Sequence, residues 1–141
     1  MRNLTKSWML VALLAVEATL NVGYQQTAKA FTLIEFNYLP AVQLIAEQRA
    51  DIKVTNVSGD PVTVVLTVYN DEGIALARIN HSIAAGTTFT HVVRAPSTGP
   101  LGFHATVASD IAHATVSDAM AFDKSTGQVI AILPAVQFNT Q

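Results

Sequence analysis

Histidine is the residue type here best able to do chemistry, and two of the four occur in matching words. His104-Ala105-Thr106-Val107 is echoed by His113-Ala114-Thr115-Val116. Both alternate with apolar neighbours, which puts them on the polar face of adjacent strands. Two neutral imidazoles facing each other across a hairpin can hold a metal ion weakly. Asp110 and Asp118 lie near them in the chain, but neither completes a three-ligand pattern at metal-site spacing. A surface pair without metal is the favoured reading, and no cofactor is expected. His91 shares a strand face with Phe89 and Val93 and reads as a hydrogen-bonded, half-buried histidine, while His81 falls beside a turn. Tyr38 and Tyr69 are expected to be exposed, and the proline-bounded loop of residues 96–100 is stiff. If a small ligand binds, Tyr69, His104 and His113 are the candidate contacts.

Catalytic patterns are missing. The chain has no G-x-S-x-G elbow, no H-E-x-x-H, no phosphate-cradling glycine loop and no dinucleotide fingerprint. Its acids are scattered singly, and the pair Asp71-Glu72 belongs to a turn. Calcium would need more oxygen ligands close together than residues 70–72 or 123–126 supply. Short connections leave little room for a deep cleft. No enzymatic activity is expected.

Those side chains must be held by a core, and composition provides one. Half of the residues are hydrophobic and 13% are charged, which argues for a packed domain and against disorder. From Phe31 onward five basic residues (Arg49, Lys53, Arg78, Arg94, Lys124) face nine acids, a net charge of −4. No basic run exists, so nucleic-acid binding is not expected. Nor is there a polybasic signal for a membrane surface. The absence of cysteine removes disulfides, thiolate zinc sites and cysteine-linked lipid anchors together.

The first 30 residues read as an export leader, a signal peptide helix. Arg2 and Lys6 make a positive start, and residues 8–16 (WMLVALLAV) form the apolar run. That run is shorter than the ~20 residues a bilayer span takes, and Glu17 ends it. Ala28-Lys29-Ala30 is the preferred cleavage signal, with cleavage after Ala18 as the alternative. Residues 31–141 are then the domain, and the expected location is secreted or periplasmic. Residues 30–35 (AFTLIE) also spell the segment after the processing site of type IV pilins, where a long apolar helix follows. Here Pro40 and the polar Gln43, Glu47, Arg49 and Asp51 are incompatible with such a helix.

After Phe31 the hydrophobic period is two. Residues 61–70 (PVTVVLTVYN) alternate Val62, Val64, Leu66 and Val68 against Thr63, Val65, Thr67 and Tyr69, in the β-branched and aromatic chemistry of a strand. Strands are predicted at 31–37, 50–57, 61–70, 74–80, 88–95, 102–109, 112–122 and 128–133. Glycine-closed turns at 70–73, 84–87 and 123–127 separate several of them. Seven or eight short strands at even spacing, with no helical period, predict an all-β antiparallel sandwich.

Residues 56–73 (NVSGDPVTVVLTVYNDEG) and 84–90 (AAGTTFT) resemble the immunoglobulin-like modules of exported bacterial proteins. Residues 122–136 (FDKSTGQVIAILPAV) are similar to the last hairpin of small proteins of that kind. The resemblance implies an immunoglobulin-like sandwich without the antibody tryptophan and cysteine pair, and it brings no catalytic residue. Leu39-Pro40-Ala41-Val42-Gln43 recurs as Leu133-Pro134-Ala135-Val136-Gln137. Both words are expected at sandwich edges, where a proline's missing N–H points out of the ladder. A sharper alternative lets one segment fill the other's place in a neighbouring subunit, making a fibre by strand addition. The functional expectation is a non-catalytic exported domain with a structural, adhesive or assembly role, partnered by itself or by other surface proteins. The alternative is a module that binds a carbohydrate or small ligand.

Overall fold

The computed structural model describes residues 32–138. The leader and both cleavage positions lie outside the described residues. Nine strands follow in order: β1 (Glu35–Leu44), β2 (Arg49–Asn56), β3 (Val62–Asn70), β4 (Ala75–Ile83), β5 (Thr88–Arg94), β6 (Leu101–Ser109), β7 (Thr115–Phe122), β8 (Val129–Pro134) and β9 (Val136–Phe138). Two antiparallel sheets form, one in the order β4-β3-β6-β1-β9 and one in the order β5-β2-β7-β8. They stack as a β-sandwich, with no helix among the described residues.

The period-two pattern carries the packing. β2 alternates strictly, burying Ala50, Ile52, Val54 and Asn56 while its other face holds Arg49, Asp51, Lys53 and Thr55. β3 buries Val62, Val64, Leu66 and Val68 as expected, and also buries Val65 and Thr67 on its opposite face. It runs between β4 and β6, so both neighbours shield its outward side chains. Phe103, Leu39, Leu44, Ile52 and Leu66 fill the space between the sheets and have no exposed surface.

Turns close through side-chain acceptors and glycine. Asn70 Oδ1 accepts from the N–H of Glu72 at 3.1 Å and of Ile74 at 2.8 Å, and Gly73 supplies the positive φ of 78°. In the β7–β8 hairpin Asp123 Oδ1 takes the N–H groups of Ser125 at 2.8 Å and Thr126 at 2.9 Å, with Gly127 at φ 69°. The Ser125 hydroxyl donates to the same oxygen, and this bond first, together with those N–H groups, holds the Asp123 carboxyl below its ordinary pKa.

The structure differs from the sequence expectation at both ends of the domain. β1 begins at Glu35 and runs through Pro40. Its register against β6 shifts between Leu39 and Val42, so Pro40 sits in an irregularity where no ladder donor is required. β9 covers only Phe36, Asn37 and Tyr38 of β1, which leaves the Pro40 stretch with a single neighbour. The second copy of the word ends β8, crosses between the sheets at Ala135 and starts β9. Pro134 lies on β8, whose only strand neighbour among the described residues is β7. Both prolines thus occupy edge-like positions. β9 is the additional strand, a three-residue segment with no alternating pattern long enough to read.

Candidate functional site

On the outer face of the five-stranded sheet, register brings three rings together. Tyr69 lies directly opposite His104, and Tyr38 lies opposite Thr106, the next β6 residue on that face. The Tyr69 and His104 rings stack with centroids 5.2 Å apart and 15° between planes. Tyr38 flanks His104 from the other side at 5.8 Å and 38°. The imidazole is held between two phenols on neighbouring strands, an arrangement that stabilises the pairing of β1, β6 and β3 by about 0.5–1.5 kcal/mol per ring pair. The rings spend much of their faces on one another. Hydroxyls and ring edges are what the ladder offers a ligand, so it suits hydrogen bonding better than flat stacking.

His113 is elsewhere. β6 belongs to one sheet and β7 to the other, so the chain between them crosses the sandwich and does not form a hairpin. His113 sits in that crossing with φ 56° and an exposed ring. Its backbone N–H donates to Glu35 Oε2, and its Nδ1 lies 3.9 Å from the same oxygen. Glu35 is 1% exposed, a carboxylate that needs compensation. Asn37 Nδ2 donates to its Oε1 at 3.3 Å, and the Thr115 hydroxyl approaches at 3.5 Å. Gln137 Nε2 reaches His113 Nδ1 at 3.3 Å. The cluster fastens β1, β7 and β9 across the seam between the sheets. Sequence could not show it, because Glu35 and His113 are 78 residues apart.

The structure therefore joins Tyr69 to His104 and separates both from His113. Among the described residues no group of three or more histidine, aspartate or glutamate side chains could hold a metal ion. His81 lies within β4 rather than beside a turn, and its ring stacks on Phe89 of β5 at 4.4 Å.

His91 lies opposite Ile52 on the inner side of β5, and burial pushes its pKa below the ordinary histidine value. A depressed histidine pKa means the unfolded chain binds the proton more readily. Stability is fully present above the unfolded value and is lost as pH falls through it towards the folded one. The thermal midpoint should thus fall between about pH 7 and pH 5, and His91→Gln should flatten part of that slope. Melting curves across this range test it, and an unchanged slope in the variant would remove His91 as a contributor.

Two further features lie at the sandwich periphery. At one end the turn between β1 and β2 and the β7–β8 hairpin border an open hollow of about 370 Å³, lined by Ile45, Ala46, Glu47, Gln48, Asp123, Lys124 and Ser125. A hollow of about 130 Å³ shares Glu47, Asp123 and Lys124 with it and reaches Arg49, Arg94 and Phe122. Along one side, β8 exposes Val129, Ile130 and Ile132, the last at 63%, and carries no charged residue. Val116 on neighbouring β7 is exposed as well.

No protein-family model matches the sequence, and no curated protein matches it. Among solved structures, the chain is similar to one described as the crystal structure of Thermotoga maritima 1070. The two superpose with a TM-score of 0.53 over 77% of this chain and 97% of that one, at 7% sequence identity. At that identity the likeness bears on the fold alone.

Proposed function

We propose that this chain is a non-catalytic exported domain of immunoglobulin-like type that works as an assembly module, pairing with copies of itself along the open edge of β8. The observation that carries the reading is the chemistry of that edge. Proteins that avoid edge-to-edge pairing place charges on edge strands, or shorten and twist them. β8 is apolar along its length and, among the described residues, has β7 on one side only and no strand along its other backbone edge. Its remaining protections are Pro134 at one end and a register irregularity near Phe122 at the other. A strand that pairs with its own copy across a two-fold axis sets identical residues near one another, which would oppose like charges on a charged strand. An uncharged strand suits self-pairing for that reason.

Two observations support the immunoglobulin-like assignment. β2 pairs with β5 and β3 pairs with β6, the central pairing within each sheet expected of such a sandwich. β1 takes the place beside β6 where the last strand of the standard arrangement would lie, which is a departure. Export rests on the leader-like pattern of residues 1–30.

Sedimentation velocity on the purified protein should show a concentration-dependent dimer or longer species. Ile132→Lys places a charge at an exposed position and should weaken association by at least about tenfold without lowering the melting midpoint. A wild-type chain that stays monomeric at high concentration would end the assembly reading. Fusion of residues 1–30 to an alkaline phosphatase reporter tests export separately, and an inactive cytoplasmic fusion would end that part.

A further inference from the structure

We infer that the end of the sandwich formed by residues 45–49, Arg94 and residues 122–127 is a binding site for a singly charged acidic sugar, a ring bearing one carboxylate or sulfate. Three of the five basic residues from Phe31 onward, Arg49, Arg94 and Lys124, line one 130 Å³ hollow in a part of the chain whose net charge is −4. Arg49 and Arg94 are direct cross-strand partners on β2 and β5. Like charges in that position work against the sheet unless an anion lies between or beside them.

Local carboxylates answer this only in part. Asp51 meets Arg49 at 3.5 Å, and Glu47 meets Lys124 at 3.3 Å. Asp123 turns its Oδ1 into its own hairpin, accepting from Ser125 and Thr126. Arg94 is exposed and has no carboxylate within ion-pair distance among the described residues. The Arg49 guanidinium is steadied over the Phe122 ring, 5.0 Å from its centroid. A planar guanidinium held this way is preorganised for a two-point contact with an oxyanion.

The neighbouring open hollow of about 370 Å³ would receive the rest of the ligand. Its volume is at the low end for small-molecule sites, enough for one ring. Ile45, 62% exposed, and Ala46 offer an apolar wall for a sugar face. Gln48 Oε1 accepts from the Ile45 N–H, and the Ser125 hydroxyl donates to Asp123. The Gln48 amide nitrogen is then the donor, and the Glu47 carboxylate and Ser125 oxygen the acceptors, left for hydroxyl groups. The two carboxylates in the same lining would repel a polyanion such as a nucleotide. One negative charge and several hydroxyls is the chemistry this surface accepts. The site lies at the strand ends, is separate from the β8 edge and does not depend on self-association.

Isothermal titration of the purified protein with glucuronate, glucose, glucose 6-sulfate and inorganic sulfate tests the inference. Glucuronate or glucose 6-sulfate should bind at least about tenfold more tightly than glucose or sulfate alone. Arg94→Gln and Lys124→Gln should each weaken that binding by about tenfold, and Arg78→Gln on β4 should leave it unchanged. Amide shifts in the NMR spectrum should centre on residues 45–49 and 122–127. Equal binding of glucose would overturn the role of the arginines. Equal binding of sulfate would reduce the site to an adventitious anion contact and overturn the sugar. No binding by either acidic sugar, or loss in Arg78→Gln as large as in Arg94→Gln, would overturn the site itself.

Discussion

Replacing Phe103 with alanine is expected to lower the free energy of unfolding by about 3–5 kcal/mol, the largest single loss anticipated for a core position. Phe103 heads the fully buried side chains by volume and has no exposed surface. It sits on β6, at the centre of the five-stranded sheet, opposite Val42 on β1 and Asn70 on β3. Removing the ring costs its transfer free energy and leaves a cavity that neighbours on two strands cannot close without breaking ladder hydrogen bonds. Domains of this size have about 5–15 kcal/mol in total, so the variant should be marginal at room temperature. Urea unfolding should show a lower midpoint with an unchanged slope. A loss below about 1 kcal/mol would mean that the sheets are not packed through this ring.

Asn56→Ala should be the most damaging polar substitution, at about 2–4 kcal/mol. The Asn56 side chain is fully buried at the end of β2. Its Nδ2 donates to the carbonyls of Asp60 at 2.7 Å and Ile83 at 2.9 Å. Its Oδ1 accepts from the Ser58 N–H at 2.9 Å and the Ser58 hydroxyl at 2.7 Å. One amide thus shapes the turn into β3 and ties it to the end of β4. Alanine leaves the buried Ile83 carbonyl and the Ser58 N–H to find new partners, while the Ser58 hydroxyl can still reach the Asp60 carbonyl, 2.8 Å away. Asp at the same place should do no better, because it keeps the acceptor but turns a carboxylate on two carbonyls. Ser58→Ala should cost about 1 kcal/mol, since it removes one side chain from the same network. Chemical denaturation of the three variants orders them, and Asn56→Ala no worse than Ser58→Ala would refute the clamp. The same geometry seals Asn56-Val57-Ser58, a formal glycosylation tripeptide, because the amide that would carry a glycan is buried and engaged.

Much of the fold was legible because strand identity is a local property. The alternation of Val62, Val64, Leu66 and Val68 declares a buried face in any sheet that forms. Asn70 with Gly73, and Asp123 with Gly127, close turns through contacts spanning a few residues, so their chemistry can be read from the string. β1 was the harder strand. Pro40 looks like a terminator until β9 is seen to stop at Tyr38 and the ladder to β6 is seen to shift around it.

The candidate sites were less legible, because each depends on pairing between distant segments. Tyr69 and His104 could be named, but that they share a stack depends on β3 lying beside β6. His104 and His113 look equivalent in the sequence and are divided by the crossing from one sheet to the other. Nothing local in the sequence singles out Glu35, whose buried carboxylate anchors the seam. Arg49 and Arg94 are 45 positions apart and become partners through register alone.

By itself the sequence determined that residues 32–138 are all-β, cysteine-free, apolar enough for a core, and punctuated by defined turns. Those properties follow from side-chain period and turn chemistry, which act over two to five residues. Tertiary structure alone decided which strands are neighbours, which edge stays open, and which charges meet at the sandwich end. Antiparallel pairing specifies partners through the burial of whole faces, and one residue of slip reverses every face at once. That choice is a property of the assembled sheets, and no local word in the chain encodes it.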